Sequence, residues 1–517
     1  MSNIAKSTFL LMLATMLAKI LGFAREITLM YTYGTSAYSD VYITSMNIPL
    51  ALFSSIGAAL VTTFIPIYHE SLQDGGEKNA YKFTNNILNI VLILSIILSI
   101  IGYVFAEPLV KLFAMKFEGE KLLLTVQFVR IMMPGILFIG MSNIMVSYLQ
   151  IKDSFTIPGL IALPNNIVII VSIIISYITK NLYILAIGSL IGMISQFIFL
   201  IPFAIKKGYK FKLIFNLRDK YLKKMIFLVG PVFIGVAVNQ INVMVDRSLA
   251  SSFGDGIISA LNSANRLNLF VTGLFISTIG AVIYPTLSKL STNNNREEFS
   301  EAIVKSLNSI ILLILPITIG AIVLATPIVK VLFERGAFDD RSTQLTSTAL
   351  IFYSIGMIGF GLRDILSKVF YSIKDTKTPM INGIIAMILN VILNFILVRV
   401  MGYAGLALAT SLSAIICTIF LFMSLHKKIG YFGQDRILKT TFKSMISTII
   451  MGLVTLKLYN FLFDNIGGGS LETIVSLVCS VIIGVIIYGL LIFLLKVEEV
   501  NLIIDIVKKR LKQRNGA

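Results

Sequence analysis

The chain has little of what catalytic, metal-binding or disulfide-built proteins use. Among 517 residues there are two histidines and two cysteines. His69 and His426 stand near the ends of apolar runs, and Cys417 and Cys479 lie inside them, with no spacing that suggests a metal site or a disulfide framework. A glycine-rich phosphate loop and a cluster of ligating side chains are also missing, which argues against catalysis. Acidic residues are scarce, 26 against 44 Lys and Arg, and the net charge is +18. No short apolar stretch with a small-residue cleavage site precedes the second span, so the first run is expected to stay rather than leave as a signal peptide.

Apolar residues are what the chain has in abundance. They make up 56% of it, the mean hydropathy is +0.89, and a soluble fold is excluded. Runs of about 20 residues recur from end to end, each long enough to cross the hydrocarbon core as a helix. Fourteen such spans, from Ser7–Tyr31 to Leu471–Lys496, predict an all-α polytopic membrane protein. The basic residues alternate with the spans, as a topology signal requires and a nucleic-acid surface does not. One cluster holds Lys206, Lys207, Lys210, Lys212, Arg218, Lys220, Lys223 and Lys224. Others lie at Lys427, Lys428, Arg436 and Lys439, and at Lys508, Lys509, Arg510, Lys512 and Arg514. All fall on one side if the helices alternate, forming a basic surface toward solvent and lipid. The connections around Gly34, Gly254 and Gly467 carry almost no Lys or Arg, so both termini are expected in the cytoplasm.

The sequence copies itself at an offset of about 220 residues. Ala106-Glu-Pro-Leu-Val-Lys111 answers Ala325-Thr-Pro-Ile-Val-Lys330, and Ile151-Lys152-Asp153 with Pro158 answers Ile373-Lys374-Asp375 with Pro379. Lys206-Lys207 answers Lys427-Lys428, and Pro66 answers Pro285. Each copy holds six spans, an even number, so the two share one orientation about an axis along the membrane normal. The expected organisation is a six-helix lobe over 1–215, a second over 216–430, and two additional helices with a basic tail over 431–517. A substrate cleft between the lobes, exposed to each side in turn as they rock, follows from that plan.

Charges inside the apolar runs point to the cargo. An arginine near the centre of a membrane helix costs roughly 2.5–3.5 kcal/mol on insertion scales. Here Arg25, Arg247, Arg266 and Arg363 occupy such places. Lys19, Arg25 and Glu26 share the first helix, and Arg247 with Asp246 is the repeat counterpart of Arg25 with Glu26. Together with Asp40 they read as a cavity lining in which cations outnumber acids, suited to an anion. Arginine matches phosphate because its planar fork donates two parallel hydrogen bonds. The alternative is that these arginines pair with Glu26, Asp40, Asp246 and Asp364 as structural bridges, and for Arg363 beside Asp364 that pairing is expected. Asn390 and Asn394, four apart on one helix face, could join Thr410 and Asp246 as oxygen ligands for a small cation such as sodium. Asparagines also simply hold membrane helices together.

The stretch Lys19-Ile-Leu-Gly-Phe-Ala-Arg25-Glu26, then Gly34, Asp40 and Phe64-Ile65-Pro66, resembles the MurJ/MviN family of lipid II flippases. So do Asn265-Arg266-Leu267, Pro285-Thr-Leu-Ser288, Arg335-Gly-Ala-Phe338 and Phe370-Tyr371 leading to Asp375-Thr-Lys-Thr-Pro379. The family belongs to the multidrug, oligosaccharidyl-lipid and polysaccharide exporter superfamily. The resemblance implies a transporter, not an enzyme, that carries undecaprenyl-pyrophosphate-linked peptidoglycan precursor from the inner to the outer leaflet of the bacterial cytoplasmic membrane. It places the family's central cations on Lys19, Arg25 and Arg266. Lys19 stands where many members have Arg, and Ser54 and Ser55 stand where many have a further basic residue. It maps a sodium site onto Asp246, Asn390, Asn394 and Thr410, with Asn394 in place of an acid. It gives the last two helices a lipid-tail groove. Lipid II and membrane lipids are the implied partners, with other cell-wall synthesis proteins as further candidates. An exporter of another polyprenyl-linked glycan or of drugs would share the fold, but a drug-cation exporter should concentrate acids rather than arginines.

Reporter fusions ending at Gly208 and Gly467 test the topology. The first is expected to report a cytoplasmic position and the second an external one. Reports from the same side would overturn the count of fourteen.

Overall fold

The computed structural model describes residues 3–292, 295–467 and 469–499. The basic cluster from Lys508 to Arg514 lies outside them. Helices account for nearly all the regular structure, as expected where backbone polar groups find no water to bond. The chain divides into two compact units, Met1–Ser259 with Arg335–Ser342, and Ala260–Glu334 with Thr343–Ala517.

In the first unit α1 (Asn3–Tyr33) is followed by α2 (Ala37–Val104), α3 (Ala106–Phe113), α4 (Gly119–Met132) and α5 (Gly135–Ile151). Then come α6 (Thr156–Leu160), α7 (Ala162–Thr179), α8 (Tyr183–Lys206) and α9 (Lys220–Ala250). α2 is two apolar helices meeting at non-helical Gly75 and Gly76, where Gly76 takes φ +66°. It packs on α4, α5 and α9, while α1 lies on α7 and α7 on α8. Its start is set by a reciprocal cap between Ser36 and Ser39, and that of α9 by the Asp219 carboxylate, which accepts from the N–H groups of Tyr221 and Leu222.

The helices that follow are α10 (Ile257–Thr292), α11 (Arg296–Val323), α12 (Ala325–Phe333), α13 (Asp340–Ile355) and α14 (Met357–Ser372). The chain ends in α15 (Lys377–Met401), α16 (Ala404–Ile429), α17 (Gln434–Ile466) and α18 (Ser470–Leu494). The core of the second unit gathers Leu307, Ile310 and Ile314 of α11, Leu366 and Phe370 of α14, and Leu421 of α16. α17 packs on α11 and α18. Val485, Leu490 and Leu494 of α18 are 56–70% exposed, an apolar face suited to lipid rather than water.

Among the described residues nine helices are long and apolar enough to cross a membrane, or ten if α4 and α5, bent by 42°, form one span. α2 alone contains two of the fourteen predicted runs. The nine do not include α1, α9 and α10. These are 31, 31 and 36 residues long, about 45 Å or more at 1.5 Å per residue, and they carry the charges singled out above.

The copied sequence makes copied turns. Phe105 and Leu324 each break a helix before a proline-containing short one. Asp153 and Lys374 take φ of +58° and +60° at the ends of α5 and α14, one residue out of step with the matching Ile-Lys-Asp triplets. The repeat boundaries and the packing units differ at α9, which follows α2, and at 335–342. That short segment is held against the end of α1, where the Ala337 N–H donates to the Tyr31 carbonyl at 2.9 Å. Only glycine fits the approach: a Cβ on Gly34 would lie 2.2 Å from the Ala337 oxygen, and one on Gly336 2.4 Å from the Tyr31 oxygen.

Asp375 ties the start of α15 to the end of α16. Its carboxylate accepts from the Thr378 N–H at 3.0 Å and hydroxyl at 2.7 Å and pairs with Lys428. Burial opposes its ionisation, but Lys428 and Thr378 outweigh that and hold the carboxyl down to about 2. A depressed carboxyl stabilises the fold above its ordinary value and loses that contribution as pH falls toward 2. Asp375→Ala is expected to cost about 1–2 kcal/mol at neutral pH through the lost cap. Thermal unfolding in detergent should show the wild-type and variant midpoints converging as the pH drops from 5 to about 2.

Candidate functional site

In the first unit α1 presents an exposed Lys19, a half-buried Arg25 and a buried Glu26. Both Arg25 and Glu26 act electrostatically on the Tyr42 hydroxyl, which meets Ser189 Oγ at 3.0 Å. Asp246 and Arg247 stand half-buried near the end of α9.

Asp40 is in a different setting. Its carboxylate is fully enclosed and accepts from the Gly256 N–H at 2.8 Å and the Ser259 N–H at 2.9 Å. It therefore caps the first turn of α10 from another helix, where a negative charge suits the exposed N–H groups. Lys121 reaches Asp40 at 3.1 Å and Asp255 at 2.7 Å, forming one cation between two acids. The acid expected to meet an arginine or the substrate is thus occupied by protein groups. Sequence reasoning missed Lys121 and Asp255, which sit outside the apolar runs.

The second unit contains a cavity of about 510 Å³ lined by Tyr284, Phe360, Arg363, Asp364, Lys368 and Tyr371. A neighbouring one of about 480 Å³ shares Tyr284, Phe360, Asp364 and Lys368 and adds Asn265, Asn268 and Thr272 of α10. Asp364 pairs with Lys368 at 2.5 Å, not with Arg363 as expected. Adjacent residues on a helix diverge by about 100°, whereas residues four apart share a face. Among the described residues Arg363 has no ion-pair partner, so the wall keeps one cation in excess. The spacing of Asp364 and Lys368 was the available signal. Arg266 is exposed on α10 beside Asn265, but it is not part of either lining.

Asn390 and Asn394 are buried on α15. Asn394 Nδ2 donates to Asn390 Oδ1 at 3.1 Å, and Asn390 Nδ2 reaches the hydroxyls of Thr410 and Ser413 on α16, each at 3.4 Å. These neutral oxygens are of the hard type that a sodium ion accepts. Asp246 belongs to the first unit. No group of three or more His, Cys, Asp or Glu that could hold a metal occurs among the described residues.

The family model described as lipid II flippase MurJ matches residues 29–477. The chain is 31% identical over 445 residues to the probable lipid II flippase MurJ of Vibrio cholerae, covering 82% of this chain and 83% of that protein. It is 29% identical over 455 residues to that of Buchnera aphidicola subsp. Baizongia pistaciae, with 87% and 88% covered. A solved structure of lipid II flippase MurJ in an inward closed conformation superposes with a TM-score of 0.79 at 28% identity, covering 94% of this chain and 99% of that one. An inward-facing multidrug resistance MATE family transporter of the MOP superfamily shares the fold, with a TM-score of 0.67 at 16% identity over 80% and 96%. This membrane chain, with its arginine-bearing helices, belongs to the lipid II flippase MurJ family.

Proposed function

We propose that the chain flips lipid II, the undecaprenyl-pyrophosphate-linked peptidoglycan precursor, from the inner to the outer leaflet of the bacterial cytoplasmic membrane by alternating access. It acts as a transporter, with fourteen spans and both termini in the cytoplasm. The observation that carries the reading is the placement of Lys19, Arg25, Arg247 and Arg266 on α1, α9 and α10, in a chain of this family. The planar fork of arginine matches a phosphate, and a pyrophosphate binds such cations through charge-assisted hydrogen bonds. Glu26 tempers that positive field, and Asp40 holds the start of α10 in place. The polyprenyl tail remains in lipid, with α17 and α18 offering it a surface. The cavity walled by Arg363 and Lys368 gives the sugar and phosphate groups a further polar wall. Sodium is the proposed coupling ion, taken by Asp246, Asn390, Asn394 and Thr410.

Arg25→Ala or Arg266→Ala should abolish rescue of a flippase-depleted strain while the protein remains at normal level in the membrane. Arg25→Lys keeps the charge and loses the fork, and should slow flipping roughly ten- to hundredfold, the worth of one hydrogen bond to a charged group. An externally added lipid II-cleaving toxin reads out the precursor that reaches the outer leaflet. Full rescue by the Arg25→Ala, Arg266→Ala double variant would end the proposal. Replacing sodium by potassium in proteoliposomes should slow flipping, and unchanged rates would remove the coupling ion.

A further inference from the structure

The connection between α8 and α9 is neither helix nor turn from 209 to 216, yet its backbone is held in a regular way. Three buried asparagines of α2 grip it. Asn85 donates to the Lys210 carbonyl at 3.2 Å and accepts from the Lys212 N–H at 2.8 Å. Asn89 donates to the carbonyls of Lys212 and Ile214 at 2.9 and 3.0 Å. Asn86 donates to the Asn216 carbonyl at 2.9 Å and accepts from its N–H at 2.7 Å. Every backbone group that these amides bond belongs to an even-numbered residue, the period of two that an extended chain imposes. The segment thus runs along a row of side-chain amides that bond its backbone at every second residue.

That geometry sorts the side chains. Lys210 and Lys212 fall on one face, while Phe211, Leu213 and Phe215 fall on the other and remain 55%, 85% and 56% exposed. Such an apolar row is unfavourable in water. Beneath the segment lies a cavity of about 330 Å³, lined by Leu88 and Leu92 of α2, Met141 and Met145 of α5, Phe197 of α8, and Phe211 itself. Around it Lys206, Lys207, Lys210 and Lys212 are exposed, and among the described residues none of them has an ion-pair partner. Lys220 and Lys224 of the same connection are neutralised by Asp74 at 2.7 Å and Glu70 at 2.6 Å.

We propose that this strap is a seat for an anionic phospholipid. One acyl chain enters the apolar cavity under Phe211, and the phosphate is held by Lys206, Lys207 and Lys210. Leu213 and Phe215 sit at the boundary of head groups and chains, where apolar burial and attraction to anionic lipid add together. A nucleic acid or an acidic peptide would use the lysines but leave the apolar row and the cavity without purpose.

Native mass spectrometry of the full chain in detergent, titrated with phosphatidylglycerol or with phosphatidylcholine of the same chains, tests the seat. The wild type should prefer phosphatidylglycerol. Lys206→Gln/Lys207→Gln/Lys210→Gln should weaken that binding on the order of fivefold for each lysine removed, and Lys220→Gln/Lys224→Gln should leave it nearly unchanged. Ile205→Trp, at a cavity-lining position that is 58% exposed and so tolerant of bulk, should weaken both lipids alike. Glycerophosphoglycerol, which carries the phosphate without chains, should not compete. Equal affinity in the triple variant, equal loss in the two lysine sets, no effect of Ile205→Trp, or competition by the chain-free head group would each overturn the proposal.

Discussion

Hydrocarbon offers no hydrogen bonds, so the backbone N–H and C=O groups of a membrane-spanning segment must find their partners in the chain itself. The helices follow directly from this. So do the devices where helices stop: the Ser36 and Ser39 exchange before α2, the Asp219 cap on α9, and the Asp40 carboxylate that receives two N–H groups at the start of α10. The strap after α8 solves the same problem with asparagine amides standing in for a neighbouring strand.

The constraint also sorts the charges. Asp40, Lys121 and Asp255 close on one another, and Asp364 closes on Lys368. Arg363 is left without an acid among the described residues, beside a cavity. Lys206, Lys207, Lys210 and Lys212 also lack one among the described residues. Such places are where we propose that anions sit, the phosphate groups of lipid II beside the first and a lipid phosphate at the second.

The helical class, the apolar runs and the repeat were legible because each depends on residues close in sequence or on composition. The Gly75 to Gly76 break was harder to read, since two apolar runs separated by a polar stretch suggest a loop and the backbone instead departs from the helix at only two residues. The partners of Asp40 were not legible, because Lys121 and Asp255 reach it from distant parts of the chain. Arg363 and Asp364 misled by adjacency, although helix geometry favoured Lys368 from the start. The grip of Asn85, Asn86 and Asn89 was not legible either, because the backbone they hold lies 123–130 residues further along the chain.

The segment 335–342 belongs to the first unit although the residues on either side of it belong to the second. The chain therefore passes between units three times, and two of the passages, at 259/260 and 342/343, fall inside α10 and α13. A gene cut between the repeats would make a first half that lacks its own Arg335–Ser342 strand of contacts, which the second half would have to return to it. The repeat in the sequence and the packing units of the structure thus divide the chain at different places.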